Sequence, residues 1–236
     1  MLDIGDLADH IKAVIASPTE RDKQVKIGPS GLGSECAYCI AATMATQLHG
    51  TPPPSNSFSL YPWVGTAVHH YLDHLLSNDD RFVFRTETSA VVGEIKGHHG
   101  NPDYGIIKGN IDLYSEEHRA VIDFKILGAN NRRKYKRQGL STQYAYQAQL
   151  YGLGIEKLGL PIEQVGVLMI PRDSAKLSDI TLIYSPYDRA KAEAALTRAE
   201  TIWNDFVIPN TYQELETWED CFNVHPHEEY NIKFPV

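Results

Sequence analysis

Three side chains in this sequence could together do hydrolytic chemistry: Asp112, Asp123 and Lys125. They stand in two short strand-like pieces, Gly109-Asn110-Ile111-Asp112 and Val121-Ile122-Asp123-Phe124-Lys125. Residues two apart on a β-strand point to the same face. Asp123 and Lys125 therefore share one face, and Ile122, Phe124 and Ile126 share the other. The apolar face is expected to be buried, leaving the acid and the amine projecting together. With Asp112 joining from a neighbouring strand, two carboxylates offer oxygen atoms to a hard divalent cation. The lysine would stand beside the attacking water, in a site for hydrolysing a phosphodiester.

The surrounding chain must hold those strands rigidly. Its 236 residues suit one α/β domain, and 42% hydrophobic residues suffice for a core. No apolar run approaches the ~20 residues of a membrane span. The start, Met1-Leu-Asp-Ile-Gly-Asp-Leu, is acidic and unlike a signal peptide, so a cytoplasmic protein is expected. A net charge of −8 argues mildly against a nucleic-acid partner. Its distribution argues the other way, because Arg132, Arg133, Lys134, Lys136 and Arg137 follow the Asp123/Lys125 strand without an intervening acid. Alone, such a run is a solvated surface loop. Beside a metal site it becomes a grip for DNA phosphates.

Apolar spacing predicts helices over 5–16, 36–49, 62–77, 141–158 and 188–206. Pro62 suits a first helical turn and Asp188 suits a cap. Residues 29–34 form a turn-rich entry, and the prolines after Gly50 make a loop. Strands are predicted at 81–92, 105–115, 119–127, 164–170 and 179–184. The tail from Ile208 is expected to be irregular. This order suits a mixed α/β sandwich better than a doubly wound parallel sheet.

Two further patterns lie on the predicted helices. Gly65-Thr-Ala-Val-His69 puts a histidine one turn after a glycine. Gln147-Ala-Gln-Leu-Tyr151 puts a glutamine and a tyrosine on one helical face, with Tyr144 beside them. The ordered set Gly65-x-x-x-His69, Gly109-x-x-Asp112, Asp123-x-Lys125 and Gln147-x-x-x-Tyr151 resembles the PD-(D/E)XK nuclease superfamily. The likeness is to the branch of the RecB nuclease domain and the CRISPR-associated RecB-type exonucleases, and the compact chain resembles a phage exonuclease. The likeness spans about residues 29–152.

The resemblance implies a restriction-endonuclease-like core: a mixed central sheet flanked by helices, with an N-terminal helical subdomain. It implies one nuclease domain over residues 1–236, with a helical part at 29–80, a core at 81–206 and a tail at 207–236. It implies that Asp112, Asp123, the Phe124 carbonyl and His69 ligate Mg²⁺ or Mn²⁺, an imidazole favouring Mn²⁺. Lys125 would activate water and offset transition-state charge. Gln147 and Tyr151 would hold the phosphate or the lysine. Glu87 ranks below these as an extra carboxylate.

Plainer readings stand beside these roles. Asp123 and Lys125 could be an exposed cross-strand pair of little energetic weight. His70 rivals His69, and only the spacing from Gly65 separates them. Tyr144, Tyr146 and Tyr151 could be packing aromatics, and His98, His99 and Asp103 a plain turn.

Cys36, Cys39, Cys221 and His225 match a zinc site in ligand type and would tie the first forty residues to the tail. Relatives in the exonuclease branch use a four-cysteine iron–sulfur cluster there. Three cysteines cannot supply one, so zinc ranks first, no metal second and a cluster third.

The function expected is metal-dependent DNA exonuclease activity on single strands or duplex ends, in recombination, repair or phage DNA metabolism, with a recombination protein as partner. The alternatives are an inactive nucleic-acid-binding module of the same fold, or a zinc-stapled structural or assembly protein.

Overall fold

The computed structural model describes residues 4–16, 26–49, 60–96, 105–212 and 215. Four helices come first: α1 (Ile4–Ile15), α2 (Pro29–Leu32), α3 (Ala37–His49) and α4 (Leu60–Ser77). Three strands follow: β1 (Phe84–Glu94), β2 (Ile106–Ser115) and β3 (Ala120–Leu127). Helices α5 (Ala129–Gln138) and α6 (Thr142–Lys157) lead to β4 (Gln164–Pro171) and β5 (Thr181–Pro186). Helix α7 (Arg189–Ile202) runs into a π-helical turn over Trp203–Val207.

The strands form one sheet in sequence order, β1-β2-β3-β4-β5. All neighbours are antiparallel except β3 and β4. A parallel pair needs a crossover, and α5 with α6 provides it. The sheet is therefore mixed and the architecture α/β, as the order of predicted elements implied.

Helix α6 is the keel of the fold. Every residue from Tyr146 to Ile155 is buried. One side packs on the sheet, where Ala148, Tyr151 and Ile155 meet Ile111, Val121 and Val165. The other side joins Leu150 and Leu153 to Ile40, Met44 and Trp203. Its N-terminus is fixed by Ser141, whose hydroxyl accepts from the Tyr144 N–H at 3.3 Å. Such an end cannot drift, which matters for Gln147 one turn later. Arg198 of α7, 4% exposed, anchors the entry segment by donating to the Ser34 and Glu35 carbonyls at 2.8 Å each.

Most predicted elements recur within two or three residues. Asp188 caps α7 as expected, accepting from the Lys191 N–H at 3.2 Å. Two expectations are corrected. The entry at 29–34 contains a helical turn, α2, begun by Pro29 at its first position. The basic run is the helix α5 rather than a loop. Lysine and arginine are good helix formers, and the Asp173 carboxylate accepts from the Ala129 N–H at 2.7 Å at its start. Among the described residues, no helix is long and apolar enough to cross a membrane.

Candidate active site

The site begins with a gap in the sheet. β3 pairs with β4 along its whole length. Its ladder with β2 covers Leu113↔Ile122, Tyr114↔Val121 and Ser115↔Ala120, and then stops. Asp112 and Asp123 are the next positions in that register, where the strands part. Parting strands leave backbone groups that need partners. Asp112 supplies one: its Oδ2 accepts from the Phe124 N–H at 2.6 Å. The carboxylate does the work of a ladder carbonyl and is fixed by it.

His69 reaches the same place from α4. Its Nε2 lies 3.1 Å from the Phe124 carbonyl oxygen and its Nδ1 3.3 Å from Asp112 Oδ1. Its ring meets Phe124 edge-on, with centroids 5.8 Å apart. Burial works against charge on this imidazole, but the hydrogen bond and charge of Asp112 outweigh it, and the His69 pKa is raised. The ring thus bridges a carboxylate and a carbonyl through its two nitrogens. His70 is exposed, so the structure separates the two histidines that spacing left open.

Glu87 is the third member of this group. Ligand atoms of His69, Glu87 and Asp112 all lie within 4.8 Å of one another. Glu87 sits in β1 between the pairs Thr86↔Leu113 and Thr88↔Ile111, opposite Asp112 but unpaired with it. Its φ of 44° is left-handed, a conformation that a residue with a side chain keeps only when its surroundings impose it. The Asn110 side-chain amide donates to its carboxylate. Glu87 belongs nearer the centre than its expected rank. Asp123, expected to share one ion with Asp112, lies outside this tight group.

Asp123 occupies the other face of β3, and that face is not open. It is 2% exposed, under α6. The Lys125 ammonium donates to its Oδ1 at 3.0 Å and lies 2.8 Å from its Oδ2. Gln147 Nε2 donates to Asp123 Oδ1 and lies within hydrogen-bond reach of the Tyr151 hydroxyl, both at 3.1 Å. Lys125 also rests over the Tyr144 ring, 5.2 Å from its centre. Burial pushes the Tyr144 phenol up to about 12, so it stays neutral. Burial pushes Asp123 up to about 6 even though the Lys125 charge pulls the other way.

Two buried polar atoms here lack hydrogen bonds, Asp123 Oδ2 and Gln147 Oε1. Oδ2 lies 2.8 Å from the Lys125 ammonium and is held by that ion pair, although the contact is not a directional hydrogen bond. Asp112, Glu87 and His69, with ligand atoms within 4.8 Å of one another, make a donor set that fits a divalent cation.

Of the two glycines in the motifs, one has a steric reason. A Cβ on Gly109 would lie 2.8 Å from both the Tyr151 ring and Pro29. Gly109 lets Tyr151 close over β2. A Cβ on Gly65 would meet nothing within 4 Å.

The basic residues divide. Arg133, Lys134, Lys136 and Arg137 are exposed on α5. Arg132, expected to grip DNA with them, is instead turned inward. Its side chain is 12% exposed, donates to the Asp179 carbonyl at 2.9 Å and lies 3.3 Å from that carboxylate. Tyr135 of the same helix meets Tyr144 at 5.5 Å, linking α5 to Lys125.

The cysteines are only half visible. Cys36 Sγ accepts from the Cys39 N–H at 3.2 Å at the start of α3, and both residues are half-buried. Cys221 and His225 lie outside the described residues, as do His98, His99 and Asp103.

No protein-family model matches the sequence, and no curated protein matches it. Solved structures do. An alkaline exonuclease from Laribacter hongkongensis superposes with a TM-score of 0.54 at 10% identity, covering 79% of this chain and 90% of that one. The structure of that enzyme in complex with dAMP gives 0.51 at 13% identity, with 79% and 90% covered. A phage-related exonuclease from Haemophilus somnus 129PT gives 0.53 at 12% identity, with 78% and 96% covered. The chain therefore has the fold of these exonucleases.

Proposed function

We propose that this protein is a metal-dependent DNA exonuclease, a single nuclease domain of the phage-exonuclease kind. The observation that carries the proposal is the meeting of Asp112, His69 and the Phe124 carbonyl at the point where β2 and β3 part, with Asp123 and Lys125 across β3. The fold alone hosts many activities; these side chains are the ones phosphodiester hydrolysis needs.

Asp112, Asp123 and the Phe124 carbonyl would hold Mg²⁺ or Mn²⁺, with His69 and Glu87 as further ligands. The imidazole favours Mn²⁺. When bound, the ion supplies positive charge at the scissile phosphate and lowers the pKa of the attacking water. Lys125 orients that water and offsets charge on the phosphorane-like transition state, while the water's proton passes to solvent. Gln147 keeps Asp123 in one rotamer, and Tyr151 keeps Gln147 in place. Arg133, Lys134, Lys136 and Arg137 draw the DNA backbone toward the site without reading its bases.

The test is a nuclease assay on end-labelled single- and double-stranded DNA with Mn²⁺, Mg²⁺ or EDTA. Wild type is compared with Lys125→Ala and Asp112→Ala, both checked for folding by circular dichroism. Mononucleotides released by wild type with metal only, and loss of ~10³-fold or more in either variant, is the expected result. DNA binding without cleavage in any metal would leave an inactive binding module instead.

A further inference from the structure

Beyond the reacting centre, one exposed arginine is held as if for a ligand. Arg172 follows β4, and its guanidinium carbon lies 3.8 Å from the centre of the Tyr61 ring of α4. Both are exposed, Tyr61 to 64%. On a surface, a long arginine side chain ordinarily samples many rotamers, and fixing it costs entropy. Here three features fix it. The ring of Tyr61 covers one face of the guanidinium. The Arg172 N–H donates to the Leu127 carbonyl at 3.1 Å, which anchors the backbone. Gly128 makes room: a Cβ there would lie 3.1 Å from an Arg172 guanidinium nitrogen. The backbone at Gly128, with φ −75°, asks for no glycine; the arginine above it does.

Stacking uses the face of a guanidinium and leaves its in-plane donors free. Those donors match the oxygens of a phosphate, in pairs. Among the described residues Arg172 makes no ion pair. The neighbouring Asp173 carboxylate is committed to the Ala129 N–H.

The position relative to the site follows from two independent routes. In the parallel register, Lys125 stands beside Met169. Arg172 lies three residues further along, ~10 Å at ~3.3 Å per residue. On α4, Tyr61 and His69 are eight residues apart, ~12 Å at 1.5 Å per residue. The pair is therefore too far to touch the scissile phosphate and near enough to touch the same strand.

Resting on the nuclease reading, we infer that Arg172, stacked on Tyr61 over Gly128, is a subsite for a backbone phosphate of the substrate strand, outside the reacting centre. Arg172 is a binding residue there, and Tyr61 and Gly128 position it.

The experiment is fluorescence anisotropy of a labelled single-stranded oligonucleotide against the full chain in EDTA, over a range of salt. Cleavage by the same proteins with Mn²⁺ is measured in parallel. Arg172→Ala is expected to weaken binding by about tenfold and to lower the slope of log affinity against log salt by about one. With Mn²⁺ it raises KM and leaves kcat within about twofold. Tyr61→Phe keeps the stack and binds as wild type; Tyr61→Ala and Gly128→Ala weaken binding severalfold. Arg172→Lys keeps the charge without the planar face and recovers only part. Wild-type affinity and salt slope in Arg172→Ala overturn the inference. A loss of binding in Arg172→Ala with no cleavage by any variant upholds the subsite and removes the nuclease reading. Wild type that neither binds nor cleaves removes both.

Discussion

Replacing Asp123 by asparagine should stabilise the metal-free protein while abolishing cleavage. The carboxylate is buried, and burial lifts its pKa from 3.8 to about 6 despite the adjacent lysine. The folded state therefore binds more protons than the unfolded state between those values, and stability falls as pH rises through that window. At about 1.4 kcal/mol per pKa unit, the ionised group costs ~3 kcal/mol at pH 8. The same relation gives about half that cost at pH 5 and almost none below pH ~3. Asparagine keeps the shape and the oxygen that Gln147 donates to, and carries no charge. For a domain of this size each kcal/mol moves Tm by about 2–4 °C. Allowing for an imperfect isostere and a displaced Lys125, the gain in EDTA at pH 8 should be about 3–10 °C. Thermal melts of both proteins at pH 8 and pH 5 make the measurement. An Asp123→Asn protein that melts at or below wild type at pH 8 refutes the reasoning. So does a gap as large at pH 5 as at pH 8, because titration of this carboxyl would not be its source.

Three further outcomes are expected. Divalent-metal affinity, measured by calorimetry, should climb between about pH 5 and 8 and release protons, because Asp123 titrates near 6 and Asp112 holds the His69 pKa above its usual value. Gly109→Ala should lower stability by about 1–3 kcal/mol in denaturant titrations, because its methyl would press on the Tyr151 ring and Pro29, and activity should fall with it. Arg198→Met should cost about 2–4 kcal/mol by the same titration, because the Ser34 and Glu35 carbonyls lose their buried donor.

The parts of this site legible in the sequence are those set by rigid local periods. Asp123 and Lys125 share a face because a strand repeats every two residues, and they meet at 2.8 Å. Gln147 and Tyr151 meet because a helix brings residues four apart together. The parting of β2 and β3 left no such mark, since a ladder that stops at Leu113 and Ile122 is a property of two strands at once. Glu87 ranks low in the sequence because its left-handed backbone is imposed from outside; only the β1–β2 register puts it opposite Asp112. Arg132 sat in a basic run that hid its inward turn toward Asp179, forty-seven residues later. The apolar face of β3 was expected to be its only covered face; α6, buried on all sides, covers the other.

The most direct test is anomalous diffraction from crystals grown with Mn²⁺. One peak should appear between β2 and β3, within about 2.2 Å of an Asp112 oxygen, Asp123 Oδ2 and the Phe124 carbonyl, with His69 turned from bridging those groups to facing the ion. Manganese bound only elsewhere on the protein, with Asp112 and Asp123 untouched by it, would contradict the proposed site.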